Sequence, residues 1–135
     1  MAYINSLKDL VLDHVFGSVD YTPLTTWYIG LSTTTPTDAG TNITEPASGA
    51  YARVSQTNNQ TNFPDATNGV KNNGSVITFP KATASWGTVT HFVMYDAATV
   101  GNAFAWGALT ASKTIDTDDT PSFAIGDITI TSATA

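Results

Sequence analysis

The sequence predicts an all-β protein: an antiparallel β-sandwich, jelly-roll-like or otherwise Greek-key, with one short N-terminal α-helix. Three observations carry that prediction. Six to eight short runs alternate apolar and polar residues and are separated by turn residues. Helical periodicity is confined to the first segment. The chain is 41% hydrophobic but only 12% charged, about half the usual charged share. Thr, Ser and Asn supply the polarity, which suits strands with hydroxyl-bearing faces and long polar loops. With 135 residues, the chain reads as a single domain over 1–135, long enough to bury a core.

Residues 5–16, NSLKDLVLDHVF, form the expected helix. Asn5 or Ser6 is the expected N-cap, and Asp9, three residues after Ser6, completes a capping-box-like pattern. Leu7, Leu10, Val11, His14 and Val15 fall on one stripe, and Gly17 is the expected stop. Three turns do not hold alone in water, so the stripe is expected to dock on the sheet or on another subunit.

The sandwich is expected over 25–131. TTWYIGLST (25–33) alternates Trp27, Ile29 and Leu31 with Tyr28, Gly30 and Ser32, a core strand. The Pro- and Gly-rich segment 34–49 is a long loop, followed by a short strand over Tyr51–Val54. Segment 55–74 is a second polar loop whose only large apolar groups are Phe63 and Val70. Ser75–Pro80 is a strand ended by its proline. Trp86–Leu109 is a hairpin around the turn 96–102. Its first arm sets Val89, His91, Val93 and Tyr95 against Thr88, Thr90, Phe92 and Met94; its second sets Phe104, Trp106 and Ala108 against Ala103, Ala105, Gly107 and Leu109. Both faces of the first arm are apolar, as in an inner strand. Strands over Lys113–Asp116 and Phe123–Thr131 follow, the latter with a bulge at Gly126-Asp127.

Composition narrows the function. The net charge is −6, and the five basic residues, Lys8, Arg53, Lys71, Lys81 and Lys113, are scattered; no cluster follows a phosphate backbone, so no nucleic-acid partner is expected. Zero cysteines remove disulfides, thiolate metal sites and cysteine nucleophiles. Lys8, Asp9 and Asp13 interrupt the first apolar segment, so no secretory signal is expected. No apolar run approaches a membrane-spanning length, and no membrane partner is expected.

No catalytic constellation stands out. His14 lies in the helical stripe and His91 in a strand; both read as packing residues, and no spacing supports a shared metal. Asp116, Asp118 and Asp119 read as a solvated turn without the glycine and distal glutamate of a calcium loop. Asp38, Glu45 and Asp65 are isolated loop carboxylates, and sequence cannot set two of them at a glycosidase separation. The serines lack an elbow motif. Trp27, Trp86 and Trp106 read as core or rim residues rather than a sugar-stacking platform. Asn42-Ile43-Thr44 matches a glycosylation acceptor, which means little without secretion. No catalytic, cofactor or metal site is therefore assigned, and no enzyme is expected.

Several motifs resemble those of short tailed-bacteriophage virion proteins labelled phage tail fibre or minor structural protein. They are the helix end Leu10–Gly17, the strand and loop WYIGLSTTTPTDAG (27–40), SGAYARV (48–54), and residues 77–130 with WGTVTHF, the YDA turn and WGALT. The resemblance covers nearly the whole chain and implies a virion component. It also reaches capsid cement or decoration proteins, which sit as trimers and clamp neighbouring capsid subunits. The short chain without shaft heptads, the long polar loops, the helix stripe and the acidic balance lean that way. The first expectation is thus a homotrimeric cement protein on the capsid outer surface, made in the host cytoplasm, with the major capsid protein as partner and loops 34–49 and 55–74 as contacts. The alternative is a tail-fibre or baseplate-associated protein, receptor-binding in one form, with tail or baseplate proteins as partners. A carbohydrate-binding or hydrolytic module is the rival from another class.

Overall fold

A computed structural model describes residues 2–132. The chain runs β1 (Ala2–Tyr3), α1 (Asn5–Gly17), β2 (Thr26–Ser32), β3 (Val54–Thr57), β4 (Val70–Asn72), β5 (Ile77–Thr78), β6 (Gly87–Tyr95), β7 (Ala103–Ile115), β8 (Ser122–Phe123) and β9 (Thr129–Thr131). A five-stranded sheet has the order β1-β7-β6-β2-β3, and β4-β9 and β5-β8 form two small ribbons. Every pairing is antiparallel. The core lies between the sheet and the ribbons: Ile29, Leu31, Phe92 and Met94 from the one meet Ile77, Phe123, Ile128 and Ile130 from the other. This is a β-sandwich with an N-terminal helix, its second layer split into two pieces.

The middle of the sheet matches its sequence. β2 lies between β6 and β3, and Ile29 and Leu31 are buried with Phe92 and Met94 in one cluster. The outer parts differ from simple alternation. Val89 pairs Lys113 while His91 pairs Ala108, so Thr90 faces the four residues 109–112 of β7. This bulge changes the phase: Val89 joins Phe92 and Met94 in the core instead of sharing a face with Val93. A second irregularity leaves Phe104 as the extra residue between Ala103 and Ala105. Phe104 packs edge-on against Trp27, with centroids 5.7 Å apart. The expected strands 103–109 and 113–116 are one continuous β7, because the bulge absorbs the polar run between them.

Three boundaries also move. The strand expected over Tyr51–Val54 begins at Val54 and runs to Thr57, so the second polar segment starts inside a strand. That segment also contains β4, and Phe63 plugs it into the core at 4% exposure. The expected strand 123–131 is two strands, parted by a turn at Gly126 (φ 85) in which the Asp127 carboxylate accepts the Ala124 N–H.

The helix is capped differently from expectation. Its N-cap is Ile4, whose carbonyl accepts the Leu7 and Lys8 N–H groups, and no side chain caps it. Ile4 takes the place because its own N–H is held by the Phe104 carbonyl, which fixes where the sheet ends and the helix starts. Gly17 is the last helical residue, and Ser18 makes the left-handed turn at φ 56. No residue of α1 is buried; its N-terminal half leans on β7 and its C-terminal half projects.

Candidate functional site

The informative chemistry of this chain is what fixes its surface loops and what its surface presents. The most elaborate polar assembly is built on Arg53. Its Nε and Nη2 hold the two oxygens of Glu45 at 3.0 and 2.7 Å, a forked charge-assisted pair. Its Nη1 donates to the carbonyls of Ala97 and Val100 at 2.8 and 2.9 Å. The guanidinium lies 3.3 Å from the centroid of the Tyr95 ring, a cation–π contact. The Arg53 side chain is 7% exposed, so one residue ties loop 33–53 and the β6–β7 turn to the sheet.

Tyr51 completes the assembly. Its hydroxyl donates to Glu45 at 2.7 Å and accepts the Leu31 N–H at 2.8 Å. That N–H points where β3 would lie had β3 not ended opposite Ile29, so the phenol replaces a missing strand partner. The Tyr51 ring packs on Phe79 and Trp86. Burial raises the ionisation of both phenols, with Glu45 adding to it, and Tyr95 is pushed up to about 12. Gly30 makes the room: a Cβ there would lie 2.7 Å from a Glu45 oxygen.

The β6–β7 turn is correspondingly well defined. The Asp96 carboxylate accepts the Asn102 backbone and side-chain N–H groups at 2.7 and 3.1 Å. At its tip, Val100 adopts φ 54 and is 85% exposed, an uncommon conformation for a β-branched residue. Loop 33–53 is equally self-tied. Thr34 and Asn42 bond across it, the Ser32 hydroxyl accepts the Thr34 and Thr44 N–H groups, and Lys8 reaches Asp38 at 3.0 Å. That ammonium holds the Asp38 carboxyl below its ordinary value.

The other sequence candidates are not brought together. His14 Nδ1 accepts the Tyr21 N–H and lies 3.1 Å from the Val19 carbonyl. His91 contacts the Thr90 hydroxyl and the Trp106 ring. Trp86 is buried and donates to the Gly49 carbonyl, while Trp27 packs on Phe104; the three tryptophans do not share a platform. Asp119 accepts the Asp116 N–H and Asp118 pairs with Lys81. Asp65 accepts from Gln60. Glu45, read from sequence as isolated, is the partner of Arg53. Among the described residues no group of three His, Cys, Asp or Glu converges to hold a metal.

Two concavities stand out among the described residues. One, of about 320 Å³, lies under the β7 bulge, with Leu31, Phe92 and Phe123 among its walls and Lys113 and Asp127 beside them. The other, of about 190 Å³, lies between α1 and the sheet, walled by Leu7, Val11, Trp27, Met94, Ala105 and Ile130. Beyond it the helix exposes Val11, Leu12, Val15 and Phe16, followed by Val19. Sequence reading placed Val11 and Val15 on a docking stripe; in the single chain they are uncovered.

Comparison with known proteins adds one finding. A family model described as Podophage GP4 fiber I protein gp80 matches residues 2–131. No curated protein matches the chain.

Proposed function

The chain belongs to the podophage GP4 fiber I protein family, and from that premise we propose that this bacteriophage virion protein is a tail-fibre component. The family match carries the reading: it spans residues 2–131 and its description names a fibre, which favours the tail over the capsid-cement role expected first. The proposed work is mechanical and non-catalytic. The acidic side chains Asp38, Glu45, Asp118 and Asp119 support this, since each is engaged in holding a loop or turn. The proposed partners are tail or baseplate proteins and further copies of the chain, a homotrimer being the arrangement carried over from the sequence reading.

Copy number tests the assignment. Quantitative mass spectrometry of purified virions is expected to find a few to tens of copies per particle. A ratio near one to the major capsid protein would overturn the fibre reading and return the chain to shell-wide cement.

A further inference from the structure

The uncovered end of α1 and the groove beside it are complementary in size and charge. Val11, Leu12, Val15, Phe16 and Val19 are exposed by 40, 54, 61, 82 and 55%. Together they leave on the order of 500 Å² of apolar surface, towards the upper end of the largest patch on an ordinary monomer, a kind of patch that is often functional. Phe16 stands out furthest. The groove between α1 and the sheet is about 190 Å³ and almost wholly apolar, floored by Trp27, Met94 and Ala105. An apolar cavity of about 150 Å³ accepts a benzene ring, so a phenyl side chain fits this one.

Charge points the same way. Lys71 lines the groove, and it makes no ion pair among the described residues. Asp13 lies three residues before Phe16 on the helix, on the same side of it, and it too makes no ion pair there. A Phe16 ring entering a groove would bring Asp13 towards Lys71. The chain thus carries both an apolar knob with an acidic flank and a hole with a basic rim. Within one copy they do not meet, since Phe16 remains 82% exposed.

We propose that the occupant of the groove is Phe16 of a second copy of this chain. Val11 belongs to both the patch and the groove, so knob and hole form one continuous surface. Burying two such patches removes on the order of 1,000 Å², the lower bound for a specific protein–protein contact. Reciprocal insertion closes a two-fold pair; one-way insertion closes a ring where the rotation closes and otherwise runs on as a filament. The inference stands apart from the tail assignment, because a cement protein could associate in the same way.

Sedimentation of the purified full chain across micromolar to hundred-micromolar concentration tests it. The wild type is expected to associate. Phe16→Asp is expected to raise the dissociation constant at least tenfold while leaving the melting of the monomer unchanged, since the side chain is exposed. Asp13→Lys and Lys71→Glu are each expected to weaken association, and the two together to restore it. A wild type that stays monomeric, or a Phe16→Asp chain that associates as before, overturns the proposal. Failure of the double charge exchange to restore association overturns the assigned pairing of Phe16 with the groove.

Discussion

At the scale of single residues, the fold depends on a few polar side chains that satisfy buried backbone groups. Asn73 is the clearest. It is 1% exposed; its amide donates to the Ser75 and Ala124 carbonyls and its oxygen accepts the Ile128 N–H, each at 2.9 Å. Asn73→Leu, of similar size, strands all three groups, and urea unfolding should show a loss of about 3 kcal/mol. In sequence Asn73 sits in a polar run, KNNG, and nothing there separates it from Asn72; only the fold brings residues 73 and 124–128 together. Tyr95 gives a second prediction. Its phenol ionises at about 12 in the fold against 10.0 for a free phenol, so the unfolded chain loses its proton first. Stability is therefore whole below about pH 10 and falls as pH rises towards about 12, by on the order of 2 kcal/mol. Tyr51, raised for the same reason, steepens the fall. Urea midpoints measured across that range should decline, and less so for Tyr95→Phe; an equal decline would contradict the assignment.

Among the elements, the β6–β7 hairpin shows both what sequence conveys and where it stops. Its arms and turn are legible as two alternating runs around a Gly-Asn pair. Its bulges at Thr90 and Phe104 are not, because a bulge resets the period that the reading depends on. The same holds for the clamp: Glu45 lies eight residues before Arg53 and Ala97 lies 44 after it, and no spacing rule links a loop carboxylate to the carbonyls of a turn. Gly30, legible only as a small residue in a core strand, is the space that clamp needs. Arg53→Ala leaves Glu45 half-enclosed without its partner and frees two turn carbonyls. A loss of about 3 kcal/mol is expected, with hydrogen exchange at residues 96–102 rising more than at the centre of β2. Uniform acceleration across the sheet would show that Arg53 supports the fold generally rather than fixing the turn. The helix is the converse case. Its period was readable, but whether its stripe faces the sheet or a second copy is settled by packing, and the single chain leaves that stripe bare beyond Val11.

For the whole molecule, rigidity and exposure are distributed unevenly. A sandwich with self-tied loops presents an apolar helix end and a tip carrying the exposed Val100. Its loops 33–53 and 58–69 are held to the body by Arg53, Ser32, Asn58 and Phe63, so they are less suited to reach across neighbours than their length in sequence implies. Membership of a fibre family makes position in the virion the property to determine. Gold-labelled antibody raised against the full chain and applied to intact virions, viewed by electron microscopy, addresses it directly. Label concentrated at the tail is the predicted result; label spread evenly over the head would contradict the account.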